Sequence, residues 1–444
     1  PTDGDTKAIE LVSGDLFLDN SDLDITLSSG GADFEIPSGT SFQIKRGIVR
    51  VSGNNTGIWL DDILTIGYAG QVLCNGGTNN YIEYTNSGNS EIFIQQGTLK
   101  VGSQIRRALN VSTGIIHFTQ NKENSTVIIG EDGTAPESNR GVFEIIGSSS
   151  TFTQAEDNSE ITIVCQQENP TVPALYFKDV DASNISIAAG SSFILGGSAT
   201  PADQDIGVYS NVNLMNLTID NSSLNNPKVT VWTLPLTLDE NLTIASGTEF
   251  DANGLDLTIY GNFTNNGTFT SNENTTYFKA SSDQTITGFT SFYNLTSQNT
   301  ANVNLAGGNA DIIVENIFRL ENGTLNDNSN DIFVYGNIYN NATHVYGGSG
   351  DGITLSGSIQ QIMTGNGTYG KLTIDNANGI DLSNRNAPTI SDYLKLVSGV
   401  FDVGSNRLTL GADCVIQEAN PFGTSNMIQT NISFTDNGVK KYFS

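Results

Sequence analysis

Apolar residues in this chain come in short runs of three to six positions with a period of two, such as Leu16-Phe17-Leu18, LDITL at residues 23–27, ITIVC at 161–165, Ile185-Ser186-Ile187 and LDLTI at 255–259. That period predicts short strands with one buried face. The runs are separated by turn formers: the chain has 47 Gly and 51 Asn, residues that enter left-handed conformations at little steric expense. A helical protein cannot carry that load. The best helical candidate, SQIRRALNVS at residues 103–112, is short and runs into strand-like sequence. The pattern predicts an all-β fold.

The C-terminal half repeats itself. NLTIDN at residues 216–221 returns as NLTSQN at 294–299 and KLTIDN at 371–376, so Leu217, Leu295 and Leu372 lie 78 and 77 positions apart. A strand running into a glycine turn recurs as LTIASGTEF, FRLENGTLN and LKLVSGVFD, with Gly247, Gly323 and Gly399 spaced 76 and 76. LTIYGNFTNNG and IFVYGNIYNNA weaken to LTLGADCVIQE, with Gly261, Gly336 and Gly411 spaced 75 and 75. QTITG at 284–288 and QIMTG at 361–365 are 77 apart. Four markers share one period. The first half lacks it, and carries 15 Asn in residues 1–210 against 36 in 211–444. We therefore read residues 1–205 as an irregular segment and 206–444 as three repeats of about 76 residues, with no Pro- or Ser-rich linker between them.

Two architectures suit such repeats. In a right-handed parallel β-helix, or β-solenoid, a coil takes roughly 20 to 25 residues, so one period spans three or four coils. In tandem immunoglobulin-like β-sandwiches each repeat is one domain, of about 100 residues and built on a buried aromatic anchor. Trp59 and Trp232 share no phase with the period, and turn residues follow nearly every strand. The solenoid is favoured. About twenty coils at about 4.8 Å each would make a rod on the order of 95 Å long. The strand-like ISFTDNGVKKYFS at residues 432–444 has no closing signal and Pro1 follows no basic and apolar leader, so the natural protein is expected to continue and any secretion signal to be absent from this sequence.

The glutamine-glycine turn, the FxNLT element, the unit LKLVSGVFDVGSNRLTLG and the final NGVKKYFS together resemble the large repetitive surface proteins of Bacteroidetes exported by the type IX secretion system, a group that includes gliding-motility adhesins. The resemblance covers residues 206–444 well and the first half only in style. It implies a secreted, cell-surface protein acting as adhesin or structural stalk, with type IX export and outer-membrane components as partners. It carries no shared catalytic residues to this chain.

Composition narrows the chemistry. With 19 Lys+Arg against 47 Asp+Glu the net charge is −28, which excludes nucleic acid as a natural partner. No run approaches the 18 apolar residues of a membrane-spanning helix. Two His and three Cys leave little for metal or redox sites, and Cys74, Cys165 and Cys414, each flanked by apolar residues, read as buried small hydrophobes.

The leading expectation is a non-enzymatic extracellular solenoid that contacts glycans or surfaces, with no catalytic residues, no metal site and no cofactor. The alternative is a carbohydrate-active β-helix enzyme of polysaccharide lyase or glycoside hydrolase type, which needs clustered carboxylates beside a cation. Lys178-Asp179-Val180-Asp181 offers two carboxylates on one strand face, and Asp61-Asp62 after Trp59 could bind sugar. His117 reads as an ordinary strand residue, and His344 has no acidic neighbour in sequence. DNSDLD at 19–24 and NDNSND at 326–331 space oxygen ligands as calcium loops do, but without an EF-hand's glycine and terminal glutamate they read as solvated turns. Asn110, Asn216, Asn241, Asn262, Asn294 and Asn366 head Asn-x-Ser/Thr triplets that a bacterial chain leaves unused. Arg106-Arg107 and Lys440-Lys441 are too isolated to form a basic patch.

Overall fold

The computed structural model describes residues 7–28, 30–31, 33–85, 90–109, 114–383, 386–419, 421–431 and 437–443. Strands take up 53% of the chain and stack in parallel as about 18 coils of a β-solenoid. The described residues contain no α-helix, only the 3₁₀ turn Ala182–Asn184. Parallel pairing from coil to coil overturns the sandwich alternative, whose sheets are antiparallel. The chain forms two compact units, Pro1–Asp251 and Ala252–Ser444.

Coils of the first unit run along three faces, and the long strands Thr40–Val51 and Ile63–Cys74 each span two of them. One face stacks Asp33–Ile36, Ile58–Leu60, Ile82–Tyr84, Ile105–Arg107, Phe143–Ile146, Leu175–Lys178, Asp205–Ser210, Lys228–Val231 and Glu249–Asp251. A second runs through Ser90–Ile94, Ile116–Gln120, Thr151–Gln154 and Ile185–Ile187. The third includes Thr98–Val101, Thr126–Ile129, Glu160–Ile163, Ser192–Leu195, Asn216–Ile219 and Leu242–Ile244. Inward residues are dry because alternation sends every second side chain to the axis. Phe118 stacks on Phe152 and Phe152 on Phe193, with centroids 5.7 Å apart in each pair. Cys74, Cys165 and Cys414 are free and buried. The helical candidate at 103–112 contains the strand Ile105–Arg107, and its last three residues lie outside the described ones.

The second unit also has three faces, and here the sequence period acquires a geometric meaning. Leu295 pairs forward with Phe318, Phe318 with Ile338 and Ile338 with Met363, three coils along one face. Leu372, the repeat partner of Leu295, sits beyond that on another face, between Ile353 and Leu394. The period is thus three coils and two of the three sides of a fourth. Each marker moves round by one face per repeat: Leu257 shares the face of Leu295, Ile332 that of Leu372, and Leu408 the remaining one.

The same corner device appears at both Gln markers. Gln284 Nε2 donates to the carbonyls of Ile259 (2.9 Å) and Gly261 (2.7 Å), and its Oε1 accepts from Asn299 Nδ2 at 2.8 Å. Gln361 Nε2 reaches the carbonyls of Val334 (2.9 Å) and Gly336 (2.5 Å), and its Oε1 accepts from Asn376 Nδ2 at 2.9 Å. Glycine follows one coil on, at Gly323 and Gly399, both with positive φ. A Cβ there would stand 2.5 Å from the Asn299 carbonyl oxygen and 1.8 Å from that of Asn376. Only glycine lets the coils close.

Asparagine abundance has the same origin. The side-chain oxygens of Asn216, Asn262 and Asn366 accept N–H groups of Asn241, Thr285 and Ala387 in the following coil. Asn294 likewise accepts from Asn316 Nδ2 at 2.9 Å. These triplet asparagines spend their amides on stacking; Asn110 lies outside the described residues.

Gln361 and Gln284 are 1% and 0% exposed. Replacing either by Leu strands two carbonyls and takes one acceptor from an Asn amide that keeps at least one other, so Q284L and Q361L should each lose about 3 kcal/mol of unfolding free energy in urea titrations. Equal losses are expected from positions on different faces.

Candidate functional site

In the first face of the first unit, strands of three to six residues each place an outward residue in one column. Glu35, Trp59, Glu83 and Arg106 follow one another in register, and Glu144, Tyr176 and Tyr209 continue the column. Coil stacking therefore builds a row of acids, an arginine and aromatic rings from residues 23 or more positions apart. Trp232 extends it, donating its backbone N–H to Val208 at 2.8 Å. Gly207 leaves room for that indole, since a Cβ there would lie 2.9 Å from Trp232 Nε1.

The charged middle of the column is buried and internally matched. Arg106 Nε donates to Glu83 Oε2 at 2.8 Å, its Nη1 donates to Gln104 Oε1 at 2.8 Å, and its guanidinium lies 4.2 Å from the Tyr81 ring centroid. The Tyr81 hydroxyl donates to the Asp33 carboxylate at 3.2 Å. Burial raises the pKa of Asp33 despite the N–H of Gly57 and this hydroxyl, and raises Tyr81 further above its ordinary range. Glu144 accepts the backbone N–H groups of Arg107 (3.0 Å) and Gly141 (2.6 Å), and burial still pushes its carboxyl up. Gln104 Nε2 faces the carbonyls of Glu137, Arg140 and Gly141, pinning that loop over the ladder. Further along, Tyr176 and Tyr209 are half-buried, edge to face at 5.3 Å, with Lys178 Nζ 5.9 Å from the Tyr176 ring.

Of the residues that the sequence singled out for chemistry, Trp59 and Arg106 stand in this column and the others lie outside it. The strand ends at Lys178, Asp179 takes a left-handed turn, and Asp181 caps the 3₁₀ turn through Ser183, which lowers its pKa; the two carboxylates share no strand face. Asp62 accepts the N–H of Gly39 at 2.7 Å. His117 lies in register between Glu91 and Thr151, with Nδ1 3.0 Å from Thr151 Oγ1. Residues 19–24 lie within the strand Gly14–Leu27, where 20–23 bulge out of register as an exposed turn closed by the Asp22 N–H on Asn20 Oδ1 at 2.9 Å, with Asp19 paired to Lys45 and Arg46 and Asp24 to Arg50. Residues 326–331 form a turn in the second unit with Asn328 and Ser329 exposed and Asp327 and Asn330 buried beneath it, where His344 Nε2 meets Asp327 Oδ2 at 3.0 Å with both side chains fully buried. Asp327 Oδ1 accepts the N–H groups of Ser329 and Gly347. His344 thus has an acidic neighbour, one coil back. Lys441 Nζ caps the carbonyls of Gly411, Ala412 and Cys414. Among the described residues no three His, Cys, Asp or Glu side chains converge as a metal site.

No family model matches the sequence, and neither the curated proteins nor the solved structures contain a match.

Two outcomes follow from these burials. Removing one partner of the Glu83–Arg106 pair leaves a buried charge, so R106A should lose about 3 to 5 kcal/mol in chemical denaturation, and the double replacement E83L/R106M much less. Asp132 is raised to about 6 by burial, with Glu131 adding to it. Its folded pKa lies above the unfolded value near 3.9, so the stability it contributes is complete below pH 4 and is lost as pH rises from about 4 to about 6. D132N should flatten the thermal-midpoint profile over that interval and melt higher at pH 7.

Proposed function

We propose that this chain is a non-enzymatic extracellular β-solenoid of the adhesin or stalk kind, which presents its outward column to glycans or other surfaces. One observation carries the reading: Glu83 and Glu144, the buried acids of the column, are held by internal donors, whereas its accessible end is aromatic. Glu83 is bound by Arg106 and Glu144 by two backbone N–H groups. A general acid or base needs a carboxyl within reach of substrate, and these are spent on the fold. Tyr176, Tyr209 and Trp232 stand on consecutive coils and remain half-accessible. Coils repeat at about 4.8 Å, close to the length of one sugar unit, and ring faces with polar tips suit sugar contact. Residence outside the cell, and export by a type IX route with outer-membrane partners, draw on the resemblance of residues 206–444 to surface adhesins.

The second reading, a polysaccharide lyase or glycoside hydrolase, draws on Glu83 and Glu144 standing on either side of Arg106 in one column. The two separate in one experiment. Affinity electrophoresis against a polysaccharide panel should show retardation by at least one polymer, weakened about tenfold by Y176A/Y209A, with no new reducing ends or unsaturated products. Product formation that disappears in E83Q would establish the enzyme instead.

A further inference from the structure

The second face of the first unit is interrupted. Ile185–Ile187 pairs with Thr151–Gln154 along one edge and, among the described residues, with no strand along the other. The next coil passes below it at residues 212–215, where Leu214 bonds onward to Thr237 and bridges Leu238 instead of turning back. The corners on both sides stay closed. Asn211 clamps Val180 through both its amide atoms, and the Asn216 N–H reaches the Ser191 carbonyl at 3.1 Å. Between those corners the upper coil runs through residues 181–190 and the lower through only 212–215. The shorter path cannot follow the longer one.

A crevice of about 490 Å³ results, lined by Ile185, Ile187, Val212 and Met215, with Asn213 and Asp239 also in its wall. In the coils above, Phe118, Gln120, Phe152 and Gln154 are fully buried at the matching register, whereas Ile185 and Ile187 are only partly covered. Residues of a parallel strand address their two neighbours alternately. Ala188 N–H takes the Gln154 carbonyl at 2.9 Å, so the N–H and C=O of Ile187 face the crevice. Asp239 is the one charged side chain in the lining, held by Asn213 Nδ2 at 2.9 Å. Burial raises its pKa and the adjacent Glu240 adds to this, so a cation beside it would be favoured.

We propose that this crevice binds an extended, basic peptide segment of a partner protein, which adds itself as a strand on the Ile187 edge and sets a Lys or Arg against Asp239. An open strand edge supplies backbone donors and acceptors at peptide spacing. The aliphatic wall receives alternate apolar side chains and contains no aromatic ring on which a sugar would stack. A chain of net charge −28 also attracts a basic partner.

The probe is a fluorescein-labelled peptide of alternating valine and lysine, followed by polarisation at low salt. Saturable binding to the wild-type chain is expected. M215W fills the crevice without changing charge and should weaken binding at least about tenfold at an unchanged unfolding midpoint. I187P removes the crevice-facing N–H but no ladder bond, and should do the same. D239N should weaken binding chiefly at low salt. Absence of saturable binding to the wild type, or equal binding by M215W, overturns the proposal. Displacement of the peptide by neutral cellohexaose, itself blocked by M215W, would assign the crevice to sugar.

Discussion

The parallel ladder is the constraint from which the rest of this protein follows. Every strand offers one edge to the coil before it and one to the coil after, and each backbone group must find its partner a full turn away. Like positions are therefore forced on top of one another. Phenylalanine stacks on phenylalanine within the first unit, and asparagine on asparagine where Asn294 meets Asn316 and Asn304 meets Asn326. Corners are the difficult points, because there the chain leaves the ladder and its polar groups lose their regular partners. Glutamine, asparagine and glycine solve that at Gln284, Asn299 and Gly323, and again at Gln361, Asn376 and Gly399.

The rotation of the repeat by one face shows how even-handed that constraint is. The motif of Leu295 and Leu372 serves two different sides of the second unit without changing its pattern. Each side asks for the same things: inward apolar residues at alternate positions and a polar corner able to accept from the next coil. A duplicated stretch need not contain a whole number of coils to be accommodated.

Functional chemistry is laid on the same scaffold. Outward positions are free of the core's demand for apolar residues, so the first unit gathers Trp59, Glu83, Arg106, Glu144 and Tyr176 in one column. Where a loop covers the column, the charges must neutralise one another, as Glu83 and Arg106 do at 2.8 Å. Where it does not, aromatic rings stay accessible. The crevice beside Ile187 arises from the same rule in breach, since a coil too short to follow its neighbour leaves an edge unpaired.

Much of the fold was legible in the chain alone. Alternation in ITIVC and LDLTI, the glycine and asparagine between runs, and the four markers with one period sufficed for stacked short strands, because these depend on neighbours in sequence. The candidate site was not legible. Along the column, coil length varies from the 23 positions between Glu83 and Arg106 to the 38 between Arg106 and Glu144, so no fixed spacing ties the column together. The only signal was the middle residue of triplets such as Ile58-Trp59-Leu60 and Ile82-Glu83-Tyr84. His344 and Asp327 met for the same reason, one coil apart and 17 positions distant. Local pattern determined that strands form and which side of each is buried, a matter of residue size and polarity at alternate positions. Which strands lie over which, and so which charges meet, was decided only when corner loops of unequal length had closed each coil onto the last.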